Sequence, residues 1–149
     1  MVSTAEIISL IEAKRSPVWD LLNGKLIGYD DALGRVILEW RAETCHCHSV
    51  DGHPKGGIVQ GGIVTSWLDV AMANACLFRG DPFATVATLE VKVAFLLAAH
   101  PGIYRSYGHV VKSGKNVAFL EAELRDPSDT LIAKASATAS IRASNSGGN

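Results

Sequence analysis

Regular strand-like stretches fill the second half of the chain, and one long apolar block precedes them. Residues 84–97 are rich in Val, Thr and Leu, and further strand-like stretches follow at 103–112, 117–125 and 131–142. His100-Pro101-Gly102, Ser113-Gly114-Lys115-Asn116 and Asp126-Pro127-Ser128-Asp129 separate them. Each cluster combines residues that bend the backbone for distinct steric reasons, so each predicts a tight connection. Strands joined this way form hairpins, which predicts an antiparallel sheet. Earlier, Val36, Leu38, Trp40 and Ala42 alternate with Arg35, Ile37, Glu39 and Arg41, the period of a half-buried strand within 34–44. A companion strand is expected at 25–33.

The apolar block occupies 53–78. It opens as a glycine-rich loop with Gly56, Gly57, Gly61 and Gly62 and continues for about four helical turns. Ile63, Val64, Trp67, Leu68, Val70, Ala71, Met72 and Ala75 leave no broad polar face, the mark of a buried helix. Gly80-Asp81-Pro82 ends it. The only charge before Arg79 is Asp69, and a carboxylate in such a helix is costly unless it is paired or used. Asp69 is therefore read as the reactive group and the glycine loop as its electrophile-binding partner. At the N-terminus, Ser3 and Glu6 have capping-box spacing ahead of Ile7, Ile8, Leu10 and Ile11. A second short helical turn, PVWDLL, stops at Asn23-Gly24. The elements predict an α+β domain over 1–142, in which a curved antiparallel sheet wraps a long central helix. Residues 1–24 form its N-terminal helical segment, and the polar tail 143–149 is expected to be disordered.

Composition narrows the classes. A chain of 149 residues suits one domain, and a net charge of −1 with 19% charged residues offers no basic surface for nucleic acid. The hydrophobic share, 48%, is high for a soluble domain and points to apolar surface hidden between copies. No apolar run is read as long enough to span a bilayer, and the N-terminus lacks signal-peptide features, so a cytoplasmic protein without membrane contact is expected. Three cysteines do not make a disulfide framework. The run Cys45-His46-Cys47-His48 invites a metal reading, but strand alternation would put the thiols and the imidazoles on opposite faces. No metal site is expected.

Gln60-Gly61-Gly62, Leu68-Asp69 and Ala71-Met72, with their spacing, resemble the HGG…L.D.AM signature of hotdog-fold acyl-CoA thioesterases of the phenylacetate-degradation (PaaI-like) type. The strands ATLEVKVAFL, GHVVKSGKNVAFLEAELRD and LIAKASATASI fit as well, so the resemblance covers the chain from about Gly34 onward. It implies a hotdog homodimer, often paired again into a tetramer, that hydrolyses acyl-CoA at two interfacial sites with neither metal nor cofactor. By position, it implies that the Gly61 N–H polarises the thioester carbonyl. The resemblance also implies that Asp69 of the partner subunit activates water or attacks the carbonyl itself, and that Thr88 helps to hold the water. Two catalytic candidates depart from the pattern: Gln60, which can still hydrogen-bond a carbonyl or the loop, stands where a histidine is usual, and His53 falls where the family asparagine is common and is the candidate replacement for it.

The residues support such chemistry independently. Thioester hydrolysis needs a placed water, a base and an oxyanion binder, and the free N–H groups of a helix N-terminus serve as the last. Glycine at 61 and 62 lets a carbonyl approach the backbone. The phosphates of coenzyme A call for cations, for which Lys112, Lys115 and Arg142 are candidates, with Ser113 and Gly114 adding donors. Ile58, Val59 and the apolar run at 94–99 are candidates for the acyl lining. Two alternatives stand beside hydrolysis: an acyl-CoA-binding hotdog protein without catalysis, and an enoyl-thioester hydratase or dehydratase. The latter usually needs a histidine, which Gln60 replaces.

Overall fold

The capping box closes as its spacing requires: Ser3 Oγ accepts the Glu6 N–H at 3.2 Å, and the Glu6 carboxylate accepts the Ser3 N–H at 2.7 Å. The helix it starts, α1, spans Thr4–Lys14, and α2 spans Val18–Leu22 before Asn23 turns left-handed at φ 57°. The structure is a computed structural model that describes residues 2–144. Most of the tail predicted at 143–149 lies outside the described residues. Within them, Ser144 donates to the Asp81 carboxylate through its N–H at 2.9 Å and its hydroxyl at 2.8 Å.

Eight strands follow the early helices: β1 Gly24–Asp30, β2 Arg35–Ala42, β3 Cys47–His48, β4 Ile58–Val59, β5 Thr85–Phe95, β6 Gly102–Ser113, β7 Val117–Arg125 and β8 Leu131–Arg142. The long helix α3, Gly61–Arg79, lies between β4 and β5. Six strands make one antiparallel sheet in the order β1-β2-β6-β7-β8-β5, and β3 and β4 pair separately. This is the hotdog architecture: a curved antiparallel sheet around a central helix. The expected chain of hairpins holds for β1–β2 and for β6–β7–β8, but not for β5. Both edges of β6 are taken, by β2 and β7, so β5 adds to the free edge of β8 instead.

The helix lies on the concave face. Val64, Trp67, Leu68, Ala71, Met72 and Ala75 are buried there, with Val36, Leu38, Leu120 and Leu124 from the sheet in the same core. Two indole N–H groups tie distant segments together, one between the N-terminal segment and α3 and one within the sheet between β2 and β6. Trp67 donates to Leu22 O at 3.0 Å, fixing the N-terminal segment to α3, and Trp40 donates to Ser106 Oγ at 2.8 Å. Helix and sheet approach closely at Gly108, where a Cβ would stand 2.3 Å from Ala71 O. Contrary to the expectation from sequence, α3 is long and apolar enough to cross a bilayer by length and composition, yet Val64, Trp67, Leu68, Ala71, Met72 and Ala75 bury one side of it in the core. The all-round burial expected of it is also incomplete: the sheet curls round one side only, and Gly62, Ser66, Asp69, Val70 and Ala73 are partly open.

Candidate active site

The N-terminus of α3 is held by its approach loop. Gly57 has φ +137°, and a Cβ there would lie 2.9 Å from Cys47 Cβ, so glycine is needed on both counts. Beyond it, β4 is bonded on two sides: Gln60 N–H to His46 O at 2.9 Å and Val59 N–H to Ala99 O at 2.8 Å. Gln60 is the N-cap, and its side-chain oxygen accepts the Gly62 N–H. Its carbonyl accepts from Ile63 at 2.9 Å and Val64 at 3.3 Å. The N–H of Gly62, a residue expected to border the substrate, is thus already satisfied by Gln60. Among the described residues the Gly61 N–H has no hydrogen-bond partner, and it sits where the helix dipole is positive.

Two turns on, Asp69 is half-buried on the open side of α3. Thr88 Oγ1 donates to its Oδ1 at 2.6 Å, a short, charge-assisted bond. No ion pair to Asp69 occurs among the described residues. Thr88 reaches it because of a β-bulge between Thr88 and Glu90 in the β5–β8 ladder. Strict alternation would group Thr88 with Glu90, Lys92 and Ala94. With Leu89 as the extra residue, Thr88 faces the helix together with Val91, Val93 and Phe95, opposite Ala139, Ala137, Ala135 and Ala133. Thr88→Val keeps the shape and removes the donor. It is expected to lower the melting temperature by about 5 °C in thermal melting, from the usual worth of a hydrogen bond to a charged group.

Gly61 opens onto an apolar cleft of about 280 Å³ lined by Ile58, Val59, Val64, Phe95, Leu96 and Leu97 among others, so the expected acyl lining does converge here. The Phe95 ring lies against Gly61, its Cζ 3.2 Å from where a Cβ would be. His48, weighed from sequence only as a metal ligand, lines the same cleft and contacts Ser49 Oγ at 2.8 Å. Other expected residues lie elsewhere. His53 stacks on His100 with ring centroids 5.3 Å apart, and its Nδ1 accepts the Lys55 N–H at 3.1 Å. Ser113 and Gly114 line a separate cleft of about 310 Å³ with Arg79 at the C-terminal end of α3. Lys112, Lys115 and Arg142 are exposed. Eighteen residue steps make that end about 27 Å from Gly61. One chain therefore joins Asp69 to Thr88, and Gln60 to Gly61 and Gly62, but keeps these sets and the cations apart.

The cysteine–histidine run does not continue as a strand. Thr44–His46 forms a 3₁₀ turn in which the buried His46 accepts the Glu43 N–H on Nδ1 at 2.9 Å and donates from Nε2 to Leu21 O at 2.7 Å. Both ring nitrogens are thus engaged structurally, and no metal-ligating group of three or more forms among the described residues. Burial pushes the Cys76 thiol up to about 11, which keeps it protonated near neutrality.

Against this geometry, residues 56–133, slightly more than half of the chain, match the family described as Thioesterase superfamily. The chain belongs to the thioesterase superfamily. A Saccharolobus solfataricus protein named "putative esterase" is 28% identical over 128 residues, covering 86% of this chain and 85% of its own. A phenylacetic acid degradation-related protein from Ralstonia eutropha superposes with TM-score 0.75 at 26% identity, over 90% of this chain and 98% of that one. The E. coli PaaI protein of the phenylacetic acid degradation operon superposes with TM-score 0.75 over 91% of each chain. At 15% identity PaaI speaks for the fold alone. The PaaI-like hotdog assignment drawn from the Gly61–Met72 signature is thus met, and the matched family segment contains Gly61, Asp69 and Thr88.

Proposed function

We propose that this superfamily member is an acyl-CoA thioesterase working as a homodimer, with each site built from two chains. Asp69 carries the reading: a half-buried carboxylate with no cation, held through one oxygen by Thr88, leaves its other oxygen for a water. That water attacks the thioester carbonyl carbon while Asp69 takes its proton. The Gly61 N–H stabilises the oxyanion that forms. As the tetrahedral intermediate collapses, the C–S bond breaks, the thiolate leaves, and the proton returns to it, giving a free acid and coenzyme A. No histidine bonds Asp69 among the described residues, which disfavours the hydratase alternative.

Distance supports the dimer. Gly61 and Asp69 of one helix are eight residues, about 12 Å, apart, too far to act on one carbonyl. A two-fold axis near Thr65 would set two α3 helices antiparallel, with Asp69 of each opposite Gly61 of the other. The partly open stripe of Gly62, Ser66 and Ala73 leaves room for that approach. β5 is an edge strand with Leu89 62%, Val91 37% and Phe95 54% exposed, and Leu96 and Leu97 follow in the open, an apolar edge of the kind proteins cover. In this arrangement the chain supplying Asp69 also brings its Arg79 end and the Lys112–Lys115 turn to within about 15 Å of Gly61 along the helix axis. An extended pantetheine arm can bridge that gap, which puts the adenine-nucleotide phosphates beside those cations.

The test is coenzyme A release, followed with a thiol reagent over aryl, short-chain and medium-chain acyl-CoA. Turnover of at least one class is expected. Tight binding across the panel without release would replace the hydrolase by an acyl-CoA-binding protein.

A further inference from the structure

His100 belongs to what sequence reads as a turn cluster, yet its ring is tied into the approach to α3. Its Nδ1 lies 2.8 Å from Gly57 O. Because a carbonyl only accepts, Nδ1 must carry the proton, and it does so whether or not Nε2 is protonated. The backbone of His100 is itself fixed: its N–H donates to Tyr104 Oη at 2.8 Å, and Tyr104 Oη–H donates to His100 O at 2.9 Å. Tyr104 is buried in the aromatic stack on Trp67, so the clamp is anchored in the core. One residue earlier, Ala99 O accepts the Val59 N–H, and one residue later the Pro101 ring packs on Gly56, 3.3 Å from where a Cβ would be. Residues 99–101 thus grip the loop at Gly56, Gly57 and Val59, immediately before the Gly61 N–H.

We infer that His100 is a positioning residue for carbonyl binding, fixing through Gly57 the direction in which the Gly61 N–H points. Gly56 and Gly57 both have positive φ, +86° and +137°, so this segment has backbone conformations open to it that other residues would not allow. The bonds of Val59 and Gln60 hold the chain after Gly57, and among the described residues the His100 ring supplies the side-chain hydrogen bond to the Gly57 carbonyl itself. Displacing an oxyanion donor by about an ångström is enough to cost on the order of a hundredfold in rate. The inference rests on the thioesterase reading for its kinetic consequence, while its structural content is independent of it.

The test compares His100→Ala with His100→Asn, whose side-chain N–H occupies nearly the position of Nδ1–H. With an acyl-CoA that the wild type turns over, His100→Ala is expected to lower kcat about tenfold to a hundredfold with KM within about twofold, and His100→Asn to recover most of it. Equal loss in both variants, or none in either, overturns the inference. Amide exchange across residues 57–62 is measured in the same proteins, faster exchange being expected in His100→Ala and not in His100→Asn. A wild type that hydrolyses nothing defeats the reading of the site, and exchange alone then decides for or against the clamp.

Discussion

Asp69→Asn is expected to lower turnover by about a thousandfold while leaving the fold and oligomer intact, in line with removal of a general base. Asn has the same shape and still accepts from Thr88 Oγ1, so only the proton-accepting charge is lost. Retained turnover would remove Asp69 from the mechanism. Gly61→Pro is its complement. The first helical position tolerates proline, Gln60 before it is already extended at ψ 135°, and the flexible Phe95 ring can give way. Proline has no N–H, so about a hundredfold to a thousandfold should be lost with the helix still formed. The two variants together test the shared site. In a heterodimer of Asp69→Asn with Gly61→Pro, one of the two sites takes its intact Gly61 from the first chain and its intact Asp69 from the second. Statistical mixing should restore about a quarter of wild-type activity, because half of the dimers carry one such site. If both groups act within one chain, mixing restores nothing.

Gly108→Ala is expected to cost about 3 kcal/mol or more, and Gly108→Val to prevent soluble folding. The added carbon would stand 2.3 Å from Ala71 O, 2.5 Å from Ala71 C and 2.9 Å from Met72 N, all backbone of the central helix. No rotamer change relieves contacts of that kind. Either α3 lifts from β6, opening the core around Trp67, Leu68 and Met72, or the strand distorts. Thermal melting should show a fall of roughly 10 °C for the alanine variant. Gly28→Ala is the control, since nothing lies within 4 Å of a Cβ there and it should melt close to wild type. An equal response at both positions would mean that the strand glycines matter for backbone entropy and not for helix–sheet approach.

Local chemistry along the chain carries a good part of this protein. The capping box at Ser3 and Glu6, the termination at Asn23-Gly24, the helix opening at Gly61 and the strand periods depend on residues a few positions apart. Neighbouring residues act on one another before any tertiary contact exists, so they are legible in order. The same holds for a glycine-rich loop leading into an apolar helix with one carboxylate, which singled out Asp69 and the loop, whereas Gly61 itself was picked by its match to the family signature. Long-range competition decided the remainder. β5 pairs with β8 because β6 has no free edge, a fact about strands far away in the chain. The bulge at Leu89, which turns Thr88 toward Asp69, breaks the alternation from which strand faces are read. His46 and His100 look like loop residues because their partners, Leu21 O and Gly57 O, lie 25 and 43 positions away. Gly108 gives no signal beyond being a glycine in a strand, since only the helix packed on it makes its missing side chain a requirement. Period and capping act over a few ångströms of contiguous backbone, whereas edge availability, ring hydrogen bonds and close helix–sheet approach exist only once distant segments share the same space.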